Sequence, residues 1–205
     1  MSPIGLEMGD RERYGSLMNG GRNLETQELN RLRLALAESL STYGQGNAKE
    51  FTALLEEIKT GDCEIVWEHT QPIRLVNVVL VVVISHHGER LTEAYQEFSD
   101  GRIRKRGMQE LAEKRKPGED PEAAARRALQ EELGIPTDEL VFEHLSPTEE
   151  KLSVATESFS YPGLKTRYSR IWFRVHLPET LYQVEYVEIQ LDKKTVFHWS
   201  RPCVL

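Results

Sequence analysis

Residues 118–135, with the sequence GEDPEAAARRALQEELGI, combine the signals that begin and end a helix with a dense acidic segment. Asp120 is suited to cap the helix, because its carboxylate can accept hydrogen bonds from the free backbone N–H groups of the first turn. Pro121 fits the first helical position, and Gly134 marks the end. The pattern therefore predicts a helix from about Pro121 to Leu133.

Charged side chains gather at the end of this predicted helix. Arg127, Glu131 and Glu132 are spaced by four and five residues, which places them on adjoining helix faces. Carboxylates packed this closely repel one another unless a metal ion or cationic side chains neutralise them. The stretch therefore indicates a place where a metal ion or cationic side chains neutralise these carboxylates. The alternative is a solvated acidic helix end in which Arg127 simply pairs with Glu131.

The same residues resemble the Nudix box, the signature G-x5-E-x7-R-E-U-x-E-E-x-G-U of pyrophosphate-cleaving hydrolases, in which U is apolar. Aligned without gaps, the signature falls on Glu113 to Ile135 and agrees at seven positions, which are Glu119, Arg127, Leu129, Glu131, Glu132, Gly134 and Ile135. Two positions differ: Glu113 replaces the opening glycine, and Ala128 replaces a glutamate that binds metal in family members. The resemblance implies a Nudix fold whose helix lacks one metal-binding carboxylate.

The resemblance also implies a reaction and the residues that perform it. Family members use Mg²⁺ or Mn²⁺ to promote attack of water on a phosphorus atom of a nucleoside diphosphate derivative. By resemblance, Glu131, Glu132 and Glu119 are expected metal ligands. Arg127 is expected to orient the carboxylates through a charge-assisted hydrogen bond, so that Glu131, Glu132 and Arg127 form the expected catalytic set. With one carboxylate missing, weak activity is expected, and the alternative is a catalytically impaired protein that binds nucleotides or phosphates.

Acidic residues outside the helix are candidates to replace the missing glutamate. Glu113 is expected in a loop facing the helix, from which its carboxylate could reach the metal, and Glu149 and Glu150 lie in a loop after the box. Cations could instead neutralise the helix carboxylates, because the basic run Lys114 to Lys116 directly follows Glu113. Restoring the carboxylate by Ala128→Glu is expected to raise hydrolysis.

Basic residues before the box are candidates for phosphate binding. Arg102, Arg104 and Arg106 alternate along a strand predicted within residues 98–107, so their guanidinium groups would share one face. Together with Lys114 they are expected to bind the phosphates of the substrate. The alternative is an edge strand protected by its charge from pairing with other chains.

Composition restricts the classes of protein. The chain has 205 residues, a net charge of −7 and two cysteines. The negative charge argues against broad nucleic-acid binding and against anionic membranes, and Cys63 and Cys203 match neither a disulfide framework nor a zinc pattern. The first residues carry no apolar signal segment, and the longest apolar run is too short to cross a bilayer. A cytoplasmic location is therefore expected.

Hydrophobic periodicity divides the chain into three regions. Residues 1–23 lack periodicity and are expected to be disordered, residues 24–62 form a helical extension, and residues 63–205 form the Nudix-like domain. In the domain, strands are expected at residues 64–69, 74–85, 140–145, 166–177, 184–191 and 195–199. With the box helix among them, this order predicts an α/β/α sandwich with a mixed sheet, as the resemblance implies.

The helical extension carries a stripe of leucines. Leucines from Leu29 to Leu40 recur at intervals of three and four, which predicts an amphipathic helix over about residues 25–43. A second helix is predicted from a cap at Asn47 to about Gly61. The stripe has three interpretations: packing on the domain, a homodimer contact, or a site for another partner.

Overall fold

The computed structural model describes residues 22–145 and 151–200. Its regular elements, in chain order, are α1 (Thr26–Ala35), α2 (Phe51–Thr60), β1 (Glu64–Glu68), β2 (Gln71–Ile84), β3 (Arg90–Phe98), β4 (Ile103–Arg104), β5 (Leu111–Lys114), α3 (Pro121–Leu133), β6 (Phe142–His144), β7 (Lys151–Leu152), β8 (Thr156–Glu157), β9 (Lys165–His176), β10 (Glu185–Ile189) and β11 (Lys193–Ser200). Short 3-10 helices lie at Leu40–Thr42 and Glu179–Leu181. Glu149, Glu150 and nearly all of the segment expected to be disordered lie outside the described residues.

The described residues separate into two units. The first contains the chain up to Val76 together with Lys116–Glu119 and Val154–Arg167, and the second contains Asn77–Arg115, Asp120–Ser153 and the chain from Tyr168. Strands β2 and β9 contribute residues to both units. The first unit therefore combines the two N-terminal helices with the residues that follow the expected boundary at residue 62.

In the first unit, helices α1 and α2 pack their apolar faces inward. Leu32 and Leu36 are 1% exposed, and Leu54 is fully buried. Strand β1 pairs with the first residues of β2 in an antiparallel hairpin. Leu32 and Leu36 of the leucine stripe are thus covered by the chain itself. A homodimer through α1 stays a prediction, for which the exposed Leu34 is available.

Helix α1 ends earlier than the sequence predicts. It stops at Ala35, and the prediction of one helix to residue 43 is wrong. The Thr42 hydroxyl donates a hydrogen bond to the Ser39 carbonyl oxygen at 2.7 Å, and such local side-chain bonds compete with the helical pattern. Helix α2 ends at Gly61 as predicted, but its N-cap is Glu50 and not Asn47.

The second unit is built on a sheet whose strands follow the order β10–β11–β3–β2–β9–β6. Strand β4 pairs with β3, β5 with β2, and β7 with β9. Helix α3 packs on β5 and β10. The chain therefore has the predicted α/β class, with a mixed sheet and helices.

Apolar residues of α3 and of the central strands form the core of the second unit. Strand β2 contributes Val79, Val81 and Val83, and α3 contributes Ala125 and Leu129, all of them fully buried. Along the strand predicted at residues 166–177, the alternating apolar residues Ile171, Phe173, Val175 and Leu177 are also buried. Among the helices that the structure describes, none has the length and apolar character of a membrane span.

Two local expectations near the box are wrong. The segment expected to carry Arg102, Arg104 and Arg106 on one strand face forms only the two-residue strand β4. Gly101 and Gly107 have positive φ angles of 82° and 67°, and these turns limit the strand at both ends. Glu113 is not in a loop but on β5, opposite Val79 of β2.

Candidate functional site

Helix α3 begins and ends as the sequence predicts. The Asp120 side chain accepts hydrogen bonds from the backbone N–H groups of Glu122 and Ala123 at 2.9 and 3.1 Å. Gly134 adopts a left-handed conformation with φ of 66°, which a residue with a side chain rarely adopts. Asp120 thus caps the first turn, and Gly134 ends the last turn, which carries the acidic residues Glu131 and Glu132.

Arg127 links α3 to β5. Its Nη1 atom donates to Glu113 Oε1 at 3.0 Å and to Glu131 Oε2 at 3.4 Å, while Nη2 donates to the Lys114 carbonyl oxygen at 2.9 Å. The Arg127 side chain is only 16% exposed and that of Glu113 26%, so their pair is largely shielded from water, whereas the Glu131 side chain is 59% exposed. The sequence predicts that Arg127 orients carboxylates, and the structure places two of the candidate metal ligands on it.

A second arginine holds a buried carboxylate. Glu93 lies on β3 with its side chain 2% exposed. Arg106 Nε lies 3.0 Å from both Glu93 Oε1 and Glu93 Oε2, and Arg106 Nη2 also contacts Glu93 Oε2. These hydrogen bonds hold the pKa of Arg106 above its usual range. Arg106, predicted as a phosphate ligand, is thus paired with a glutamate of the sheet.

Glu132 is half-buried and surrounded by like charges. Burial raises the pKa of Glu132 to about 8, and Glu188 on β10, Glu113 and Glu93 contribute in the same direction. The nearby Arg106 opposes this shift. We call Glu93, Glu113, Glu131, Glu132 and Glu188 the acidic cluster. The guanidinium groups of Arg106 and Arg127 pair with members of this cluster.

The arrangement of the acidic cluster explains why it is not a ready-made metal centre. Within residues 22–145 and 151–200, no three His, Cys, Asp or Glu side chains are grouped so that they could hold an ion as they stand. Glu93 is turned toward Arg106, and Glu113 toward Arg127. Ala128, where the signature has glutamate, is fully buried and offers no ligand.

Other predicted site residues have different surroundings. Glu119 belongs to the first unit, where it accepts a hydrogen bond from the Lys116 backbone N–H at 2.8 Å. Arg102 pairs with Asp100 at 2.6 Å in the turn before β4. Arg104 is exposed on β4, and Lys114 is half-buried at the end of β5.

Two members of the acidic cluster are not indicated by the sequence. Glu93 and Glu188 come from strands that are far from the box in sequence. Glu93 lies two residues after the fully buried Leu91, so it occupies a core-facing position of an alternating strand. A carboxylate at such a position is a signal that could have been recognised.

A cavity lies in the second unit away from the acidic cluster. It has a volume of about 890 Å³ and is lined by residues that include Leu140, Leu177 and Arg174. No member of the acidic cluster lines it, and Arg174 pairs with Glu143 at 3.1 Å. The convergence of charged groups therefore places the candidate site at the acidic cluster.

Comparison with protein-family models agrees with the box. The model of the NUDIX domain matches residues 75–193, more than half of the chain. No curated protein matches the chain significantly. Similar solved structures include a protein of Deinococcus radiodurans, with 18% identity, a TM-score of 0.36, and coverage of 62% of this chain and 67% of that one. Another is an Ap4A hydrolase of C. elegans in a binary complex, with 17% identity, a TM-score of 0.36, and coverage of 62% and 80%. A third is the dihydroneopterin triphosphate pyrophosphohydrolase of E. coli, with 18% identity, a TM-score of 0.33, and coverage of 60% and 78%.

Proposed function

Because the chain belongs to the NUDIX domain family, we propose that it slowly hydrolyses a pyrophosphate bond in a nucleoside diphosphate derivative with the help of Mg²⁺ or Mn²⁺. The observation that carries this proposal is the acidic cluster, in which Arg127 brings Glu113 and Glu131 together and burial with neighbouring carboxylates raises the pKa of Glu132 to about 8. A divalent cation would stabilise these groups in their ionised form and would in turn attract polyphosphates.

The donor chemistry of the cluster fits these cations, since Mg²⁺ and Mn²⁺ prefer carboxylate oxygens. Glu131, Glu132 and Glu113 would hold the ion. The expectation that Glu119 is a further ligand stays a prediction. When bound, the ion neutralises phosphate charge and makes a water molecule more acidic. Glu93 and Glu188 add negative charge from the strands.

The residues of the chain have separate proposed roles around this ion. Arg127 keeps Glu113 and Glu131 in place through its two ion pairs. Arg102, Arg104 and Lys114 are proposed to bind phosphates of the substrate. Ala128 provides no donor atom at one ligand position, so we propose that the transition state is less stabilised and the rate of hydrolysis is low. Each tenfold loss of rate corresponds to about 1.4 kcal/mol of lost transition-state stabilisation.

A panel of substrates tests the proposal. The purified full-length chain is incubated with nucleotide sugars, dinucleoside polyphosphates, oxidised nucleotides, ADP-ribose and inositol pyrophosphates, each with Mg²⁺ or Mn²⁺, and the products are separated by chromatography. We expect metal-dependent turnover of at least one class, lost in Glu132→Gln and retained in Glu143→Gln, which changes an exposed glutamate. If no class is hydrolysed above the Glu132→Gln background, the hydrolase proposal is wrong.

A second candidate function is a nucleotide- or phosphate-binding protein without efficient catalysis. The observation that favours it is that Arg106 and Arg127 already neutralise part of the cluster, while Ala128 provides no carboxylate. Such a protein would bind a nucleoside diphosphate derivative equally well in the presence of a chelator. Binding that disappears on chelation supports the hydrolase instead.

A further inference from the structure

Strand β10 and its flanking residues carry a concentration of exposed apolar side chains. Val184 is 81% exposed, Ile189 is 82% exposed, and Leu191 is fully exposed. Val187, between them, is 39% exposed. Large apolar side chains that are exposed singly are ordinary, but several of them within residues 184–191 are typical of a surface that another molecule covers.

Strand β10 is also an edge of the sheet. It stands at one end of the strand order, and among the strands that the structure describes it pairs only with β11. The backbone N–H of Gln190 donates to the Lys193 carbonyl oxygen at 2.8 Å, which fixes the alternation of hydrogen bonds along the hairpin. By this alternation, the backbone groups that point away from β11 belong to Glu185, Val187 and Ile189. These groups can pair with a further strand.

The charged residues of β10 do not protect this edge from pairing. Glu185 Oε2 lies 2.7 Å from Nε2 of His198, and the Glu188 carboxylate accepts a hydrogen bond from the Gln190 side chain. Both carboxylates thus have partners within their own hairpin. Edge strands that stay unpaired commonly carry lysine or proline, and β10 contains neither.

The sequence of β10 is complementary to itself in one antiparallel register. When Val187 lies on a two-fold axis, it faces Val187 of a second copy, and the whole strand is paired. Glu185 then falls opposite Ile189 of the second copy, and no carboxylate faces a carboxylate directly. Tyr186 falls opposite Glu188. An axis at Glu185 would oppose two carboxylates, and an axis at Ile189 would place Glu185 opposite the turn of the hairpin.

We propose that β10 pairs with β10 of a second copy of this chain, so that the two sheets form one continuous antiparallel sheet across a two-fold axis at Val187. Dimers of this symmetry are the commonest oligomers, and each copy uses the same surface in the interface. The backbone groups of Glu185, Val187 and Ile189 form the hydrogen bonds between the copies. The side chains of Val187 and Ile189 from both copies cover one another on one face of the sheet.

Sedimentation equilibrium of the full-length chain over a range of concentrations tests this interface. We expect the wild type to dimerise, and Val187→Lys to weaken dimerisation by about tenfold or more, because two ammonium groups would face each other on the axis. Val154→Lys changes an exposed valine of the first unit and should dimerise as the wild type does. A wild type that stays monomeric, or a Val187→Lys variant that dimerises as the wild type does, would overturn the proposal.

Two substitutions at the exposed Ile189 test the register. Ile189→Glu places a carboxylate opposite Glu185 of the second copy, whereas Ile189→Lys places an ammonium group there. Because each dimer contains two such pairs, we expect Ile189→Glu to dimerise about tenfold more weakly than Ile189→Lys. Both variants lose the same apolar side chain, so equal dimerisation by the two would overturn the proposed register. If Leu34→Lys abolishes the dimer while the Ile189 variants keep it, the interface lies on α1 and the proposal is wrong.

Discussion

Arg127 on α3 and Glu113 on β5 form an ion pair at 3.0 Å, and this pair joins the acidic helix end to the sheet. Both side chains are largely shielded from water, and Arg127 also donates to the Lys114 carbonyl oxygen. Removing the guanidinium leaves Glu113 and that carbonyl without this donor. The pair therefore contributes to stability as well as to the arrangement of the site.

Arg127→Gln is expected to lower the free energy of unfolding by about 1–3 kcal/mol. It should also weaken Mn²⁺ binding roughly 10- to 100-fold, as loss of groups that orient metal ligands does. Urea denaturation measures the change in the free energy of unfolding, and calorimetric titration with Mn²⁺ measures the change in metal affinity. Arg174→Gln, which opens an exposed pair, should cost less than about 1 kcal/mol. Unchanged stability and metal affinity in Arg127→Gln would show that the pair has neither role.

The sequence predicts helix α3 and its charged end well, because their signals are local. Asp120, Pro121 and Gly134 act on neighbouring backbone groups, so their effect needs no knowledge of the rest of the fold. The apolar face of β9 is predicted for the same reason, since alternation along one strand is visible in the sequence.

Contacts between distant segments could not be predicted in this way. Strand β5 has no alternating apolar pattern, and it exists because its backbone pairs with β2. Glu113 therefore reaches Arg127 from a strand and not from a loop. Glu93 and Glu188 join the acidic cluster only because β3 and β10 lie in the same sheet. Arg106 was predicted to bind phosphate, because the local sequence does not show that Glu93, thirteen residues away, is its partner.

The burial of Ala128 changes what is expected from restoring the missing glutamate. A carboxylate at this fully buried position, one turn before Glu132, adds a charge to a crowded group. We expect Ala128→Glu to lower the stability of the metal-free chain by about 2–5 kcal/mol. Saturating Mn²⁺ should restore most of this loss and raise hydrolysis above that of the wild type.

Thermal unfolding with and without Mn²⁺ measures this rescue, and Ala125→Glu provides the control. Ala125 is also fully buried on α3, but it belongs to the apolar core. Ala125→Glu should destabilise the chain in both conditions. If Mn²⁺ raises the melting temperature of both variants equally, or of neither, position 128 does not face a metal site.

A buried ionic network is expected to stabilise the first unit. Glu57 accepts hydrogen bonds from Arg74 at 2.5 Å, Lys49 at 2.7 Å and the Tyr161 hydroxyl at 3.0 Å. Glu57→Gln leaves the Arg74 charge buried without its partner, so we expect a loss of about 3–5 kcal/mol. Glu56→Gln, in an exposed pair with Lys59 on the same helix, should cost less than about 1 kcal/mol. Denaturant titration would contradict this account if the two variants were equally stable.

Alkaline pH is expected to destabilise the first unit through Tyr43. Burial raises the pKa of Tyr43 from 10.0 to about 12. The unfolded chain loses this proton near pH 10 and the folded chain near pH 12, so the contribution to stability is complete below pH 10 and is lost as the pH rises through that interval.

Tyr43→Phe should reduce this alkaline loss of stability. The Tyr43 hydroxyl has no hydrogen-bond partner among the described residues, so we expect the variant to change stability at pH 7 by less than about 1 kcal/mol. Melting temperatures between pH 8 and pH 11 measure the effect, with the half-exposed Tyr168→Phe as control. A pH dependence identical to that of the wild type would assign the alkaline loss to other groups, among them Tyr161, whose pKa burial also raises.

The acidic cluster at the end of α3 is proposed to bind a divalent cation beside a diphosphate. This binding can be measured by calorimetric titration of Mn²⁺ into the wild-type chain in the presence of a non-hydrolysable nucleoside diphosphate analogue. We predict binding at millimolar concentration or tighter that is abolished by Glu132→Gln. Absence of heat on Mn²⁺ addition, both with and without the analogue, would contradict the claim.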